Sequence, residues 1–196
     1  MTTQTPSPAL CAGAQAGHPL LLNAVAGVLR CAYAGALPPF ARTLGLAQAA
    51  LLDVVRHCLP QLASSDTISE RKYAALLQCA PALFSEVLAL LMASRTPGAD
   101  AGQVEWLARA IAAACMGNRF LWQDLGLGSR DDVGTLLRLY FEPLHSRNTD
   151  DLKWKRFIFL QLSAQRDGGQ GQGLGLGPGL RVDGLAALPT PPCAGD

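Results

Sequence analysis

Apolar residues recur at helical spacing along most of the chain and divide it into amphipathic segments. The first begins near Pro19, and the second is stopped by Pro60. A third is expected to begin near Ser69, to break or kink at Pro81, and to continue into the strongly apolar segment 82–94. A stripe that repeats every three or four residues is typical of a helix with one buried face.

The second half of the chain shows the same pattern with clearer helix starts. Ser129 is a good N-cap, and Thr149 is predicted to cap the last helix, with acidic residues in each first turn. Four stripes are predicted to be buried: Leu21, Ala24, Val25, Val28, Leu29 and Ala32; Val104, Leu107, Ala108, Ile111, Ala112 and Cys115; Val133, Leu136, Leu137, Tyr140, Phe141 and Leu144; and Trp154, Phe157, Ile158 and Leu162.

These segments predict an all-α fold, because none shows sustained alternation of apolar and polar residues. We expect a single bundle-like domain of six or seven helices over residues 18–166. Residues 1–17 have no periodicity and are predicted to be disordered. Residues 167–196 hold nine Gly and four Pro, which predicts a flexible tail.

Composition and charge exclude several classes of protein. Hydrophobic residues make up 49% of the chain and aromatic residues only 6%, so the core is expected to consist of Leu, Ala and Val. The net charge of +1 provides no basic field for nucleic acid. The apolar run 20–34 follows no Lys or Arg and is interrupted by Arg30, which is unlike a secretory signal. With no long apolar span, we expect a cytoplasmic protein that does not enter membranes.

The chemistry of common enzymes is absent from the sequence. It contains no phosphate-binding glycine loop between a strand and a helix, no G-x-S-x-G and no H-E-x-x-H. Its six cysteines are far apart and form no C-x-x-C, so we expect reduced, mostly buried thiols. The prediction is a protein that is not an enzyme.

Two polar clusters allow two interpretations each. In the WQDLGL segment, Trp122, Gln123 and Asp124 either end a helix, with Trp122 in the core and Gly126 or Gly128 at positive φ, or form a surface for a partner or ligand. In the DLKWKRF segment, Lys153, Lys155 and Arg156 are predicted to lie opposite Trp154 and Phe157. They form either a solvated basic face or a docking patch for an acidic partner or an oxyanion.

Taken together, these clusters resemble the NifQ family of nitrogen-fixation proteins. The resemblance covers roughly residues 20–165. The residues that carry it are Cys115 to Asn118, Leu121 to Leu127, Arg130, Phe141, Pro143, Leu144, Asn148, Asp151 to Phe157, Gln161 and Leu162.

The resemblance implies a small accessory protein that supplies molybdenum for the iron–molybdenum cofactor of nitrogenase and works with the proteins that assemble it. It also implies an iron–sulfur or molybdenum–iron–sulfur centre, held by a cysteine cluster C-x4-C-x2-C-x5-C after the K-W-K helix. The predicted partner surface comprises Trp122, Gln123, Asp124, Lys153, Trp154, Lys155 and Arg156.

The sequence departs from the family pattern at the metal ligands. Ser163 stands where the first cysteine is expected, the tail holds only Cys193, and Phe120 replaces a histidine. One explanation is a diverged member without the metal site. The other, which we favour, is a shifted reading frame near codon 166; it fails if the other frames of the gene's end encode no such cluster. A metal-free helical adaptor or chaperone-like module is the alternative function.

Overall fold

The computed structural model describes residues 18–58 and 69–169, with side chains as far as Arg166. Within these ranges the chain forms nine α-helices and one short 3-10 helix, and no strand. The all-α prediction is therefore confirmed for the described residues. The helices are α1 Pro19–Tyr33, α2 Gln48–Cys58, α3 Glu70–Gln78, α4 Ala82–Ala93, α5 Ala101–Cys115, α6 Leu121–Asp124, α7 Arg130–Tyr140, α8 Glu142–His145 and α9 Trp154–Gly169, and the 3-10 helix is Pro39–Thr43.

The helix count exceeds the predicted six or seven for three local reasons. First, α6 is a separate single turn in the WQDLGL segment, whose sequence pattern indicates either the end of a helix or a partner surface. Second, Pro81 breaks the chain into α3 and α4, which is one of the two outcomes expected there. Third, the helix predicted to run through Leu144 breaks at Phe141, whose φ and ψ are −139° and 47°. Pro143 explains this break, because it has no N–H to continue the α7 hydrogen bonds.

The helix α5 forms the centre of the domain and packs against α1, α4 and α6. All six residues of its predicted stripe are buried, as are all six of α1. Small side chains dominate α5, which lets neighbouring helices approach closely. The core is therefore built from aliphatic residues around an alanine-rich helix, as the composition predicts.

Polar side chains cap the N-termini of two of the long helices. The Asp100 carboxylate accepts a hydrogen bond from the backbone N–H of Gln103 at 2.8 Å, which caps α5. At α7, the Ser129 hydroxyl accepts from the N–H of Asp132, and the Asp132 carboxylate accepts from the N–H of Ser129. This reciprocal pair is a capping box, and it confirms Ser129 as the predicted N-cap.

The last helix does not begin where the sequence predicted. We expected Thr149 as its cap, but α9 begins at Trp154. Asp151 adopts a left-handed φ of 50°, which no helix interior tolerates. The Asn148 side chain instead closes a loop, since it exchanges two hydrogen bonds with the backbone of Leu152 at 2.9 and 3.0 Å.

No single helix in the described ranges is long and apolar enough to cross a membrane. The pair α3 and α4 reaches the required length and composition together, but it bends by 79° at the break. The predictions for residues 1–17 and for the tail after Gly169 lie outside the described residues. The helix α9 extends three residues past the predicted domain end at 166.

Candidate functional site

Asp124, the last residue of α6, is a fully buried carboxylate. Its Oδ1 accepts a hydrogen bond from Arg119 Nε at 2.9 Å, and its Oδ2 accepts one from Lys155 Nζ at 2.6 Å. The Lys155 side chain is only 15% exposed. Since an unpaired charge in the interior is strongly unfavourable, this ion pair fixes α6 against the first turn of α9.

The carbonyl of Gly117 completes the environment of the Lys155 ammonium group, which donates to it at 2.9 Å. A Cβ atom at position 117 would lie 2.5 Å from Asp124 Oδ2, so only glycine leaves room for the carboxylate. Lys155, Asp124 and Gly117 thus form one compact unit. We call these three residues and Arg119 the buried clamp.

Close backbone contact between α6 and α1 supports the buried clamp. The Gln123 side chain accepts a hydrogen bond from the N–H of Phe120 at 3.2 Å, and Gly126 ends the turn with a φ of 64°. A Cβ atom on Gly27 would lie 2.0 Å from the carbonyl oxygen of Leu125. Glycine at 27 is therefore required for α1 to lie against this turn.

A second pair of residues ties the loop before α9 to α7 at the surface. Arg130 donates to both oxygens of the Asp151 carboxylate, at 3.0 and 2.6 Å. It also donates to the carbonyls of Asp151 and Leu152, at 2.8 and 3.0 Å. The Asp151 side chain is 81% exposed. We call Arg130 and Asp151 the exposed clamp.

The cysteines of the described ranges do not form a metal site. Burial raises the pKa of the Cys115 thiol to about 12, with nearby Lys155 lowering it in part, and burial raises that of Cys58 to about 11. Neutral thiols are poor metal ligands. Within residues 18–58 and 69–166, no group of three or more His, Cys, Asp or Glu side chains could hold a metal ion.

The position that lacks the expected first cysteine lies on a regular helix. Ser163 is an exposed residue of α9, one residue after the buried Leu162. Cys193 lies outside the described residues. The described residues therefore do not fit a thiolate-bound cluster.

The fold buries some residues of the predicted partner surface and leaves others accessible to solvent. The structure corrects the expectation for Asp124 and Trp154, which are buried at 0% and 7% exposure and cannot meet a partner directly. Lys155 is also not on a solvated basic face, because the Asp124 carboxylate draws its ammonium group inward. Both segments contribute to one internal ion pair.

Four residues of that predicted surface keep access to solvent. Trp122 and Gln123 are half-buried, while Lys153 and Arg156 are exposed. The Lys153 ammonium group lies 5.0 Å from the ring centroid of Phe120, an aromatic side chain that is 50% exposed.

Arg119 is the member of the buried clamp that the sequence did not reveal. It also donates to Cys31 Sγ, at 3.2 Å, and its hydrogen bonds to Cys31 and Asp124 raise the pKa of its guanidinium group. An arginine in a short polar loop is ordinary in sequence. Asp124 lies five residues later, and only the knowledge that its carboxylate is buried would have drawn attention to Arg119.

Comparison with known proteins gives a consistent result. The family model described as NifQ matches residues 24–170. The chain is 35% identical over 134 residues to "Protein NifQ" of Azotobacter vinelandii, which covers 64% of this chain and 67% of that protein.

Other relatives match over shorter stretches. "Protein NifQ" of Rhodobacter capsulatus is 32% identical over 65 residues, covering 33% of this chain and 36% of that protein. "Protein NifQ homolog" of Sinorhizobium fredii is 26% identical over 118 residues, covering 60% of this chain and 49% of that protein. The chain thus spans half or less of the length of these two relatives. No solved structure gives a significant match.

Proposed function

The chain belongs to the NifQ family, and on that premise we propose that it is a cytoplasmic accessory protein for assembly of the iron–molybdenum cofactor of nitrogenase. In this role it handles molybdenum or donates it to the assembly proteins. The observation that carries the proposal is the family match over residues 24–170, which contains both clamps.

The two clamps support a scaffold role for the described domain. The residues through which the sequence resembles the family include Asp124, Lys155, Arg130 and Asp151, and all four are committed to ion pairs within the chain. They hold the start of α9 in place, the helix that leads to the segment where the family carries its cysteines. The scaffold therefore determines where that segment leaves the domain.

The partner in this proposal is a cofactor-assembly protein with an acidic docking surface. Lys153 and Arg156 present positive charge, and half-exposed Phe120 and Trp122 supply apolar area beside it. Exposed aromatic and cationic groups of this kind are frequent anchors of protein interfaces.

We propose a metal-free adaptor as the second candidate, because the expected metal ligands do not occur in the described part of the chain. The described residues contain no group of three or more metal-ligating side chains, and the expected cysteine positions after Leu162 hold other residues. In this case the domain contributes partner binding, and the cargo belongs to another protein.

Elemental analysis separates the two candidates. Molybdenum and iron would be measured in the full chain, purified without oxygen from cells grown with molybdate. A second protein would carry the family's C-x4-C-x2-C-x5-C segment grafted after Leu162. The graft begins at solvent-exposed positions, because residues 163–166 are exposed. A matched graft with four serines controls for the added segment.

Each outcome identifies one candidate. Metal near stoichiometry in the cysteine graft, and none in the serine graft, supports the molybdenum-handling scaffold. Metal in the native chain places ligands beyond the described residues. Metal in none of the three proteins contradicts molybdenum handling and leaves the adaptor.

A further inference from the structure

A polar cleft lies between α7, the end of α8 and the first turn of α9. Its volume is about 280 Å³. One wall is a single face of α7 that includes Thr135 and Arg138, and the opposite side is formed by His145 and Trp154. The cleft is separate from the buried clamp and from the surface around Phe120.

Several hydrogen-bond donors that line this cleft have no partner in the described part of the chain. The Arg138 guanidinium group, the ring nitrogens of His145 and the Thr135 hydroxyl make no hydrogen bond or ion pair within these ranges. An arginine without an ion-pair partner is available to an external anion.

Trp154 adds a donor that is held rigidly. The residue is only 7% exposed, and its indole N–H has no acceptor among the described residues. In the described part of the chain, no side-chain N or O atom that lacks a hydrogen-bond partner is fully buried. The N–H therefore retains access to solvent. A Cβ atom on Gly134 would lie 3.8 Å from Cζ2 of the indole, which places the nitrogen-bearing edge of the ring beside the α7 wall of the cleft.

The Trp154 ring is fixed by its neighbours. Its centroid lies 5.5 Å from that of the His145 ring, tilted by 31°, and 6.0 Å from that of Phe157. A donor on a packed ring loses little conformational entropy when it binds a ligand.

Charge is distributed unevenly along the cleft. Asp131 and the exposed clamp lie at the start of α7, whereas Arg138 is two turns further along, about 10 Å away for an α-helix. The exposed clamp is internally neutral, so Arg138 marks the positive end of the cleft, where His145 also lies, and Asp131 marks the negative end.

We propose that this cleft binds a small anion through Arg138, His145, Thr135 and the indole N–H of Trp154. The ligand is a molecule whose charged oxygens belong to a carboxylate or a phosphate group. The cleft volume is close to the lower end of the range for small-molecule sites, and the clustered donors suit negatively charged oxygens. The site does not depend on the proposed role in cofactor assembly.

The test uses the full chain and the three indole N–H signals in its ¹H–¹⁵N NMR spectrum, from Trp106, Trp122 and Trp154. Inorganic phosphate and malonate would be titrated separately at constant ionic strength, with chloride as the reference salt. We expect a saturable shift of the Trp154 signal alone, with a dissociation constant of about 1 mM or below for at least one probe. The probe that binds distinguishes a phosphate from a carboxylate ligand.

Two exposed arginines provide matched variants. Arg138→Gln is expected to weaken binding about tenfold or more, since it removes a charged hydrogen-bond donor. Arg71→Gln on α3 removes the same charge away from the cleft and is expected to bind like the native chain. The proposal is overturned if Trp154 does not respond to either probe, if all three indole signals move together, or if Arg138→Gln binds as tightly as Arg71→Gln.

Discussion

The two clamps of α9 use similar chemistry in different surroundings. In the buried clamp, Lys155 neutralises a carboxylate that is 0% exposed, whereas in the exposed clamp Arg130 pairs with a carboxylate that is 81% exposed. The buried clamp joins α9 to α6, the exposed clamp joins the loop before α9 to α7, and both belong to the segments that carry the family resemblance. We expect burial, and not the kind of pair, to determine how strongly the stability of the fold depends on each clamp.

Burial is not visible in a sequence, which is why the two segments that form the clamps suggest a binding surface. A cluster of charged and aromatic residues looks equally functional whether it faces solvent or the interior. In the buried clamp, removal of Lys155 leaves the Asp124 carboxylate, which water cannot reach, with Arg119 as its remaining cationic partner, and this is costly. In the exposed clamp, water replaces the lost partner, so little stability is lost.

The largest expected effect is that of Lys155→Met. The methionine retains most of the aliphatic stem but leaves Asp124 with Arg119 alone. We expect the free energy of unfolding to fall by about 3 kcal/mol, the lower end for a broken buried pair, as measured by urea denaturation at pH 7.

The neighbouring Arg156→Met is the control for this change. Arg156 is exposed on the same helix, and its substitution is expected to alter the free energy of unfolding by less than about 0.5 kcal/mol. Equal losses of unfolding free energy in the two variants would show that the Lys155–Asp124 pair contributes no more to stability than an exposed arginine does.

The free energy of unfolding is expected to depend on pH above pH 9, because the Cys115 thiol is buried beside the buried clamp. This dependence sharpens the comparison of the two clamps. Burial raises the pKa of its thiol from 9.0 to about 12. The unfolded chain therefore loses this proton first, and stability that is complete below pH 9 is lost as the pH rises toward 12.

The measurement is the difference in unfolding free energy between the native chain and Cys115→Ala across this range. We expect the native chain to lose about 2 kcal/mol more than the variant between pH 9 and 11. Parallel curves would contradict a buried, neutral thiol at this position.

The smallest expected effect is that of Arg130→Gln in the exposed clamp. The ion pair is exposed to solvent, and one of its two backbone hydrogen bonds is part-buried, so we expect a loss of about 1 kcal/mol or less in thermal or urea unfolding. The effect is expected to shrink further at high salt, since screening weakens exposed pairs. A loss as large as that of Lys155→Met would remove the distinction between the clamps.

The sequence predicted the long helices well because their signals are local. The stripes of α1 and α5 fall every three or four residues and are buried throughout, and Ser129 caps α7 as expected. Such patterns need only neighbouring residues for their interpretation.

The start of α9 and the clamps required information that local patterns lack. Thr149 followed by two aspartates has the composition of a helix start, but Arg130, more than twenty residues upstream in the chain, holds Asp151 in a loop. Similarly, Asp124 and Lys155 are separated by 31 residues. Whether either charge is buried depends on how α6 and α9 pack, which no spacing within one segment reveals.

The central claim is that the buried clamp, and not the exposed one, holds the domain in the form that positions α9. Double-mutant cycles on both pairs test it most directly, with Asp124→Asn and Lys155→Met for one and Asp151→Asn and Arg130→Gln for the other. We predict a coupling energy of about 2 kcal/mol or more for the buried clamp and less than about 1 kcal/mol for the exposed clamp. Equal coupling energies, or a larger one for Arg130 and Asp151, would contradict the account.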